Sequence, residues 1–379
     1  MRILLVTFSN LLPSVLRTTL NLENEICAIV VDEPKTAKEF FEKNNLPAES
    51  IYPFYELQEC ITNFYYDCVI CISSGLISWD MHNHFIKCGL PLNKFVHFSL
   101  SDENFLVKRA LLYYEEHADE IEIFATSISY TSVALDVKEF KYKLLNFGRS
   151  SQDLYYDYQI AKRVLTPKTG GTKIRYALIG LAPYSFHLDM SKSYALIWRM
   201  LPYFIAFKDL HNFWLSPEFY KSLFNKNYLS LTPSTDNFDI NNVNLEKSSS
   251  LRFINQKVRL DARKKIDVWK NRNFPATRNE NIKILEDYLS LCQSCNVRPI
   301  MFLPPMTEGV IKCFSKQKID EFYFVLREVQ KKYPAVFIDG WKLKGFDDSD
   351  FYDVDHLNIK GAAKFSAMLN NVIEQIEKS

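Results

Sequence analysis

The chain has 379 residues, 46 Lys and Arg against 45 Asp and Glu, and 47% hydrophobic and 15% aromatic residues. That near-neutral balance excludes a global electrostatic pull toward nucleic acid or membrane, and the apolar content excludes disorder throughout. The length suits two domains, each able to bury its own core, and no apolar run reaches the roughly eighteen residues of a spanning helix.

The opening stretch, Met1 to Leu16, carries one Arg before a short apolar run. Ser9 and Asn10 break that run and no small-residue cleavage site follows, so it reads as a first β-strand and not as a leader. Through about residue 118, short apolar runs alternate with helical patterns. The strand candidates are Ile3–Thr7, Ile26–Val31, Cys68–Ile72 and Lys94–Phe98. The helix candidates are Leu11–Leu20, Thr36–Asn44, Leu57–Phe64 and Trp79–Cys88. Such alternation predicts parallel βαβ units with helices on the sheet faces. Where a glycine fingerprint would open the first helix, the chain reads Phe8-Ser9-Asn10-Leu11-Leu12-Pro13-Ser14. Without glycines the backbone cannot approach a pyrophosphate, so no dinucleotide cofactor is expected.

Eight cysteines occur, among them the pairs Cys68/Cys71 and Cys292/Cys295. The first pair falls in a strand pattern that points its members to opposite faces. The second ends a helix and has no companion pair at finger spacing. Both read as structural thiols of a reducing, cytoplasmic setting. His82 and His84 lack acidic or Cys partners nearby, so no metal site is expected there.

The helical stretch Glu103–His117 bridges to a second domain, 119–379. Its strand candidates are Ile121–Ala125, Tyr142–Phe147, Ile174–Leu181, Arg298–Leu303 and Ala335–Asp339. In open parallel sheets ligands bind beyond the carboxyl ends of the strands, so the loops there are where chemistry is expected. The first loop carries Ser127, Ser129, Thr131 and Ser132, which as a group could equally cap a helix. The second carries Gly148, where a turn could need positive φ. The third runs from Gly180 to His187, and His187, beside aromatic residues, reads as structural. Past the fifth strand comes Asp353-Val354-Asp355-His356, followed by a helical pattern from about Asn358 to Glu377. An Asp three residues before a His can turn back to hold Nδ1–H and leave Nε2 as a base; Asp355, next to the His, is expected to point elsewhere.

These blocks, in this order from about Ile121 to the C-terminus, resemble the SGNH (GDSL-like) hydrolase superfamily, in particular its branch of cell-surface glycan acylation proteins. The N-terminal part resembles the Rossmann-like modules of sugar-modifying and polysaccharide-assembly proteins. The resemblance implies two α/β three-layer domains with parallel sheets, Rossmann-like over 1–118 and SGNH (flavodoxin-like) over 119–379. It makes Ser129 the nucleophile and Asp353 and His356 the rest of a triad. The oxyanion donors it implies are Ser129, Gly148 and Ser185. Two positions depart from the pattern: Ser127 replaces the usual Gly of the first block, and the third block lacks its Asn, with Ser185 the nearest polar substitute.

Between the third and fourth strands lies an insertion, about 190–280. Ser191–Leu210 reads as helical and Thr232–Ser250 as a polar loop. Leu251–Arg278 carries nine Lys or Arg against Asp261 and Asp267. Such a run is usually a solvated helix face, but Arg252, Arg259 and Arg263 are candidates to hold a phosphate-bearing sugar. The expected function is acyl transfer or ester hydrolysis on a carbohydrate during bacterial surface-glycan synthesis. The expected partners are a carbohydrate or sugar-phosphate and an acyl donor, without cofactor, nucleic acid or transmembrane segment; the oligomeric state is not readable. The alternatives are a non-catalytic glycan- or partner-binding protein on the same frame, and phosphoryl-linked transfer onto a glycan.

Overall fold

A computed structural model describes residues 1–44, 50–73, 84–127, 134–166, 172–236, 273–353 and 355–378. The chain is α/β, with two five-stranded sheets whose neighbouring strands all pair parallel. Its contacts divide it into two compact units, Met1–Arg109 with Met190–Ser234, and Ala110–Asp189 with Thr235–Ser379.

In the first unit the strands are β1 (Arg2–Thr7), β2 (Glu25–Val31), β3 (Ile51–Pro53), β4 (Cys68–Ser73) and β5 (Phe95–Ser99). Helices α1 (Pro34–Lys43) and α2 (Leu57–Asn63) fall between strands, and α3 (Leu106–Glu116) follows the last and passes into the second unit at Ala110. The order β3-β2-β1-β4-β5 is that of a dinucleotide-binding half-fold extended by two strands, and it reverses direction between β1 and β4. Every residue of β4 and β5 is buried, as expected of parallel strands covered on both faces. Cys68 and Cys71 lie inside that layer as free thiols, and burial pushes the Cys68 thiol up to about 12. Four strands match the expected segments to within a residue or two. The three-residue β3, ending in Pro53, has too little pattern to be read from sequence. Where Leu11–Leu20 was expected to be one helix, Leu12–Ser14 is α-helical and Val15–Thr19 π-helical.

The expected insertion does not behave as one piece. Met190–Ser234 belongs to the first unit: Leu20 bridges Phe224, and the Trp214 indole donates to the Phe95 carbonyl at 3.0 Å. Phe224 also packs on Phe98 and Tyr220. Over Ser191–Leu210, expected to be helical throughout, α5 (Met200–Phe207) and the short turns Met190–Lys192 and Ile197–Arg199 form instead.

The second unit contains β6 (Ile123–Thr126), β7 (Leu144–Asn146), β8 (Tyr176–Gly180), β9 (Arg298–Leu303) and β10 (Val336–Asp339). Its larger helices are α4 (Leu154–Leu165), α6 (Pro275–Ser294), α7 (Lys316–Lys332) and α8 (Ile359–Lys378). The order β10-β9-β8-β6-β7 is the doubly wound 2-1-3-4-5 arrangement, with its switch point between β6 and β8. One apolar cluster joins β6, β8 and β9 to α8. It includes Ala134 and Leu135 after the first loop and Phe351 and Leu357 on either side of the Asp353–His356 turn. No helix of the described residues is long and apolar enough to cross a membrane.

Candidate active site

The site is built on the turn before α8. Phe351 and Leu357 form an isolated antiparallel bridge, and the Tyr352 N–H donates to the His356 carbonyl at 2.8 Å, closing the chain around Asp353. Asn358 locks the turn to the helix. Its amide donates to the Ser349 carbonyl at 2.7 Å, and its side-chain oxygen accepts from the Gly361 N–H at 3.0 Å. A Cβ at Gly361 would lie 2.1 Å from the Asp350 carbonyl oxygen, so only glycine allows the helix this close. Asp350 itself is fully buried and paired with Lys364 at 2.7 Å. Burial would raise its carboxyl, but the lysine hydrogen bond and charge hold it below the usual range.

Inside that frame Asp353 does three things at once. Its Oδ1 accepts the backbone N–H groups of Asp355 at 3.1 Å and His356 at 2.9 Å, and the carboxylate meets His356 Nδ1 at 2.8 and 2.9 Å. The expected Asp-to-imidazole contact is therefore present. Asp355 corrects the sequence reading: its Oδ1 lies 3.2 Å from the same Nδ1, in a residue only 2% exposed. That approach is electrostatic, without the alignment of a directed hydrogen bond.

Burial would depress the His356 imidazole, but hydrogen bonding to Asp353 and the second carboxylate of Asp355 outweigh it and raise its pKa to about 9. Burial likewise pushes the Asp353 carboxyl up, and the imidazole more than reverses this, holding it far below the usual carboxylate range. At neutral pH the resting group is an imidazolium between two carboxylates. The three donor atoms lie within 4.8 Å of one another, close enough to share a cation. A cation there would have to displace the Nδ1 proton that the hydrogen bonds use.

Of the other expected residues, the described ones, Ser127, Gly148 and Ser185, follow the carboxyl ends of β6, β7 and β8 in turn. The Ser127 hydroxyl donates to the Gly180 carbonyl at 3.1 Å, and its own carbonyl accepts from the Arg149 N–H at 3.0 Å. A serine so buried and tied across the strands is a spacer, not an exposed nucleophile. The Gly148 N–H donates to the Asn146 side chain at 2.9 Å, so this expected oxyanion donor is already engaged. Among the described residues the glycines with positive φ are Gly89 and Gly345, so that explanation does not apply to Gly148. Ser185 accepts from the Ala182 N–H at 2.9 Å, capping its own turn. Ser129, Arg252, Arg259 and Arg263 lie outside the described residues.

His187 is structural, as read from sequence. Its Nδ1 accepts from the Phe274 N–H at 3.1 Å and its Nε2 meets Glu321 at 2.9 Å. Burial lowers its pKa, so it is neutral at pH 7, while Arg278 and Lys318 complete the pairing of Glu321. Asp157, at the start of the helix after β7, is another buried group that sequence gave no reason to single out. Burial raises its carboxyl well above the usual range, and Gln152 donates to it. A cavity of about 650 Å³ opens at the amino ends of β9 and β10, lined by Arg298, Ile300, Tyr333 and Val336. It lies at the opposite end of these strands from the loops just described.

Fold and turn together define an α/β chain whose second unit holds a carboxylate-oriented imidazole on the turn before its last helix. No family model matches the chain, and no curated protein matches it significantly.

Proposed function

We infer that the second unit is an SGNH-type centre for acyl transfer or ester hydrolysis, acting on a carbohydrate through Ser129, His356 and Asp353. One observation carries the reading: Asp353 and His356 are fixed on a turn whose flanks, Phe351 and Leu357, pack in the same apolar cluster as Ala134 and Leu135. Those two residues come directly after residues 128–133, which include Ser129, and Ser127 on the other side follows β6 at the switch point.

In this reading Ser129 Oγ attacks the acyl carbonyl carbon and its proton passes to His356 Nε2, while Asp353 and Asp355 stabilise the resulting imidazolium. Collapse of the tetrahedral adduct breaks the bond to the leaving group, which takes the proton from Nε2. A sugar hydroxyl or water then attacks the acyl-serine by the reverse route. Arg252, Arg259 and Arg263 would hold an anionic group of the acceptor. A base must be neutral to accept a proton. With a pKa near 9, only about 1% of His356 is neutral at pH 7. Turnover should therefore rise with pH and level off above about 9.

The engaged Gly148 N–H favours a second reading, a glycan-binding protein on the same frame without catalysis, because an oxyanion donor already spent cannot stabilise a transition state. Hydrolysis of acetylated oligosaccharides and of a chromogenic acetyl ester, measured from pH 6 to 10, separates the two. Activity that rises toward pH 9 and is lost in both Ser129→Ala and His356→Gln supports the enzyme. Glycan binding with no turnover at any pH supports the second reading. Activity indifferent to both substitutions refutes the triad.

A further inference from the structure

The first unit holds a cation with no described counter-charge. Arg199 ends the short turn Ile197–Arg199, which packs against β5, and begins α5, which packs against the turn Asp102–Phe105 beyond the carboxyl end of β5. Its guanidinium carbon lies 4.1 Å from the Trp198 ring centroid, a close cation–π contact. Its Nε is shielded from solvent and makes no hydrogen bond. Among the described residues no carboxylate comes within ion-pair distance. Burial lowers its pKa to about 10, with partial compensation from Tyr203 and Glu103. Arg199 is half-buried, and a partly desolvated guanidinium with no ion-pair partner among the described residues is poised for an anion.

The surroundings are those of a binding position. Trp198, 7% exposed, has its ring 6.4 Å from that of His97 on β5. His97 Nε2 in turn lies 3.3 Å from the hydroxyl of Ser73, the last residue of β4. This line of contacts, Ser73 to His97 to Trp198 to Arg199, reaches the carboxyl end of β4, the strand beside the reversal in strand order. Ligands of open parallel sheets bind at such a place. We propose that Arg199, held over the Trp198 ring at the carboxyl end of the first sheet, binds the oxyanion group of a small molecule, a phosphate or a carboxylate. The planar fork presents two donors to two oxygens, and the contact with the indole restrains the side chain in advance. This goes beyond the acyl chemistry of the second unit, which uses none of these residues.

The test uses the full chain at constant chloride, with calorimetric titration of inorganic phosphate and, separately, of succinate. At least one probe should saturate with a Kd of about 1 mM or tighter. Saturation by phosphate alone or succinate alone identifies the group recognised. Arg199→Lys, which keeps charge but loses the fork, should weaken binding by about tenfold or more, and Arg199→Gln should abolish it. The loss on Arg199→Lys should appear equally in a background where Arg252, Arg259 and Arg263 are all replaced by Gln, which removes any phosphate held by the second unit. The proposal is overturned if neither probe saturates by about 20 mM, well past that affinity. It is also overturned if Arg199→Lys binds as the wild type does, or if only the triple variant loses binding. The wild-type and Lys arms decide the matter even if the Gln variant does not fold.

Discussion

The His356 turn makes a quantitative demand. Raising an imidazole from 6.5 to about 9 corresponds to about 3 kcal/mol in favour of its charged form. The side chain is 18% exposed, so solvent screening removes little of this. Asp353, with contacts at 2.8 and 2.9 Å, should supply the larger part, and Asp355 at 3.2 Å the smaller. Asp353→Asn should lower the His356 pKa by about 2 units and Asp355→Asn by about 1, the size of effect a close carboxylate exerts. The assay is the pH titration of the His356 ring protons by NMR, assigned by comparison with His356→Gln.

The same pair sets a stability profile. A folded-state pKa raised above the unfolded value stabilises the protein fully below pH 6.5, and that contribution disappears as pH rises through about 9. The depressed Asp353 carboxyl acts in the opposite sense, and its contribution is lost as pH falls below the ordinary carboxylate range. The two describe one interaction and are not added. Asp353→Asn should therefore cost about 3 kcal/mol in urea unfolding near pH 5.5 and far less at pH 10. A wild-type His356 that titrates at or below 6.5 would refute the reasoning. So would an Asp353→Asn penalty that does not change with pH.

Two further outcomes test the frame. Gly361→Ala sets two effects against each other: helix propensity favours Ala by about 1 kcal/mol. The 2.1 Å approach of its Cβ to the Asp350 carbonyl must dominate, giving a net loss of about 3 kcal/mol in urea unfolding. A stabilised variant would mean that the turn and α8 are not held as described. The first unit should not bind NAD or FAD, since the Ser9 N–H already donates to Asp32 at 2.7 Å where a phosphate-binding turn would need free donors. Calorimetric titration should show no binding at millimolar concentration, and a micromolar affinity would overturn this.

Most strands of the two sheets were legible because parallel strands buried on both faces leave unbroken apolar runs. Ile3–Thr7, Cys68–Ile72 and Arg298–Leu303 stand out whatever surrounds them. The Asp353 contact to His356 was legible for a similar reason, since residues three apart in a tight turn meet without help from the rest of the chain. Asp355 was misread because its direction depends on the backbone closure at Phe351 and Leu357, which spacing does not encode. Gly148 could be marked as a turn but not as a donor already engaged, because its partner Asn146 is two residues away and reaches it through a side chain.

The least legible feature was the ownership of Met190–Ser234. After β8 the chain leaves the second unit, and local pattern assigns the segment to the crossover in which it begins. Its contacts say otherwise. The Asn21 N–H donates to the Leu223 carbonyl, and the Asn225 N–H to the Thr19 carbonyl, so its backbone is stitched to the end of the first π-helical turn. Its aromatic residues Phe224 and Tyr220 complete the layer over Phe98. Tyr220 is buried deeply enough that its hydroxyl pKa rises far above the ordinary value. Partners some two hundred residues apart cannot be inferred from periodicity, because each side shows only that it is apolar, not which apolar face it meets. The first unit is thus discontinuous in sequence, and the Trp198–Arg199 pair, which local reading would give to the second unit's crossover, belongs to the carboxyl end of the first sheet.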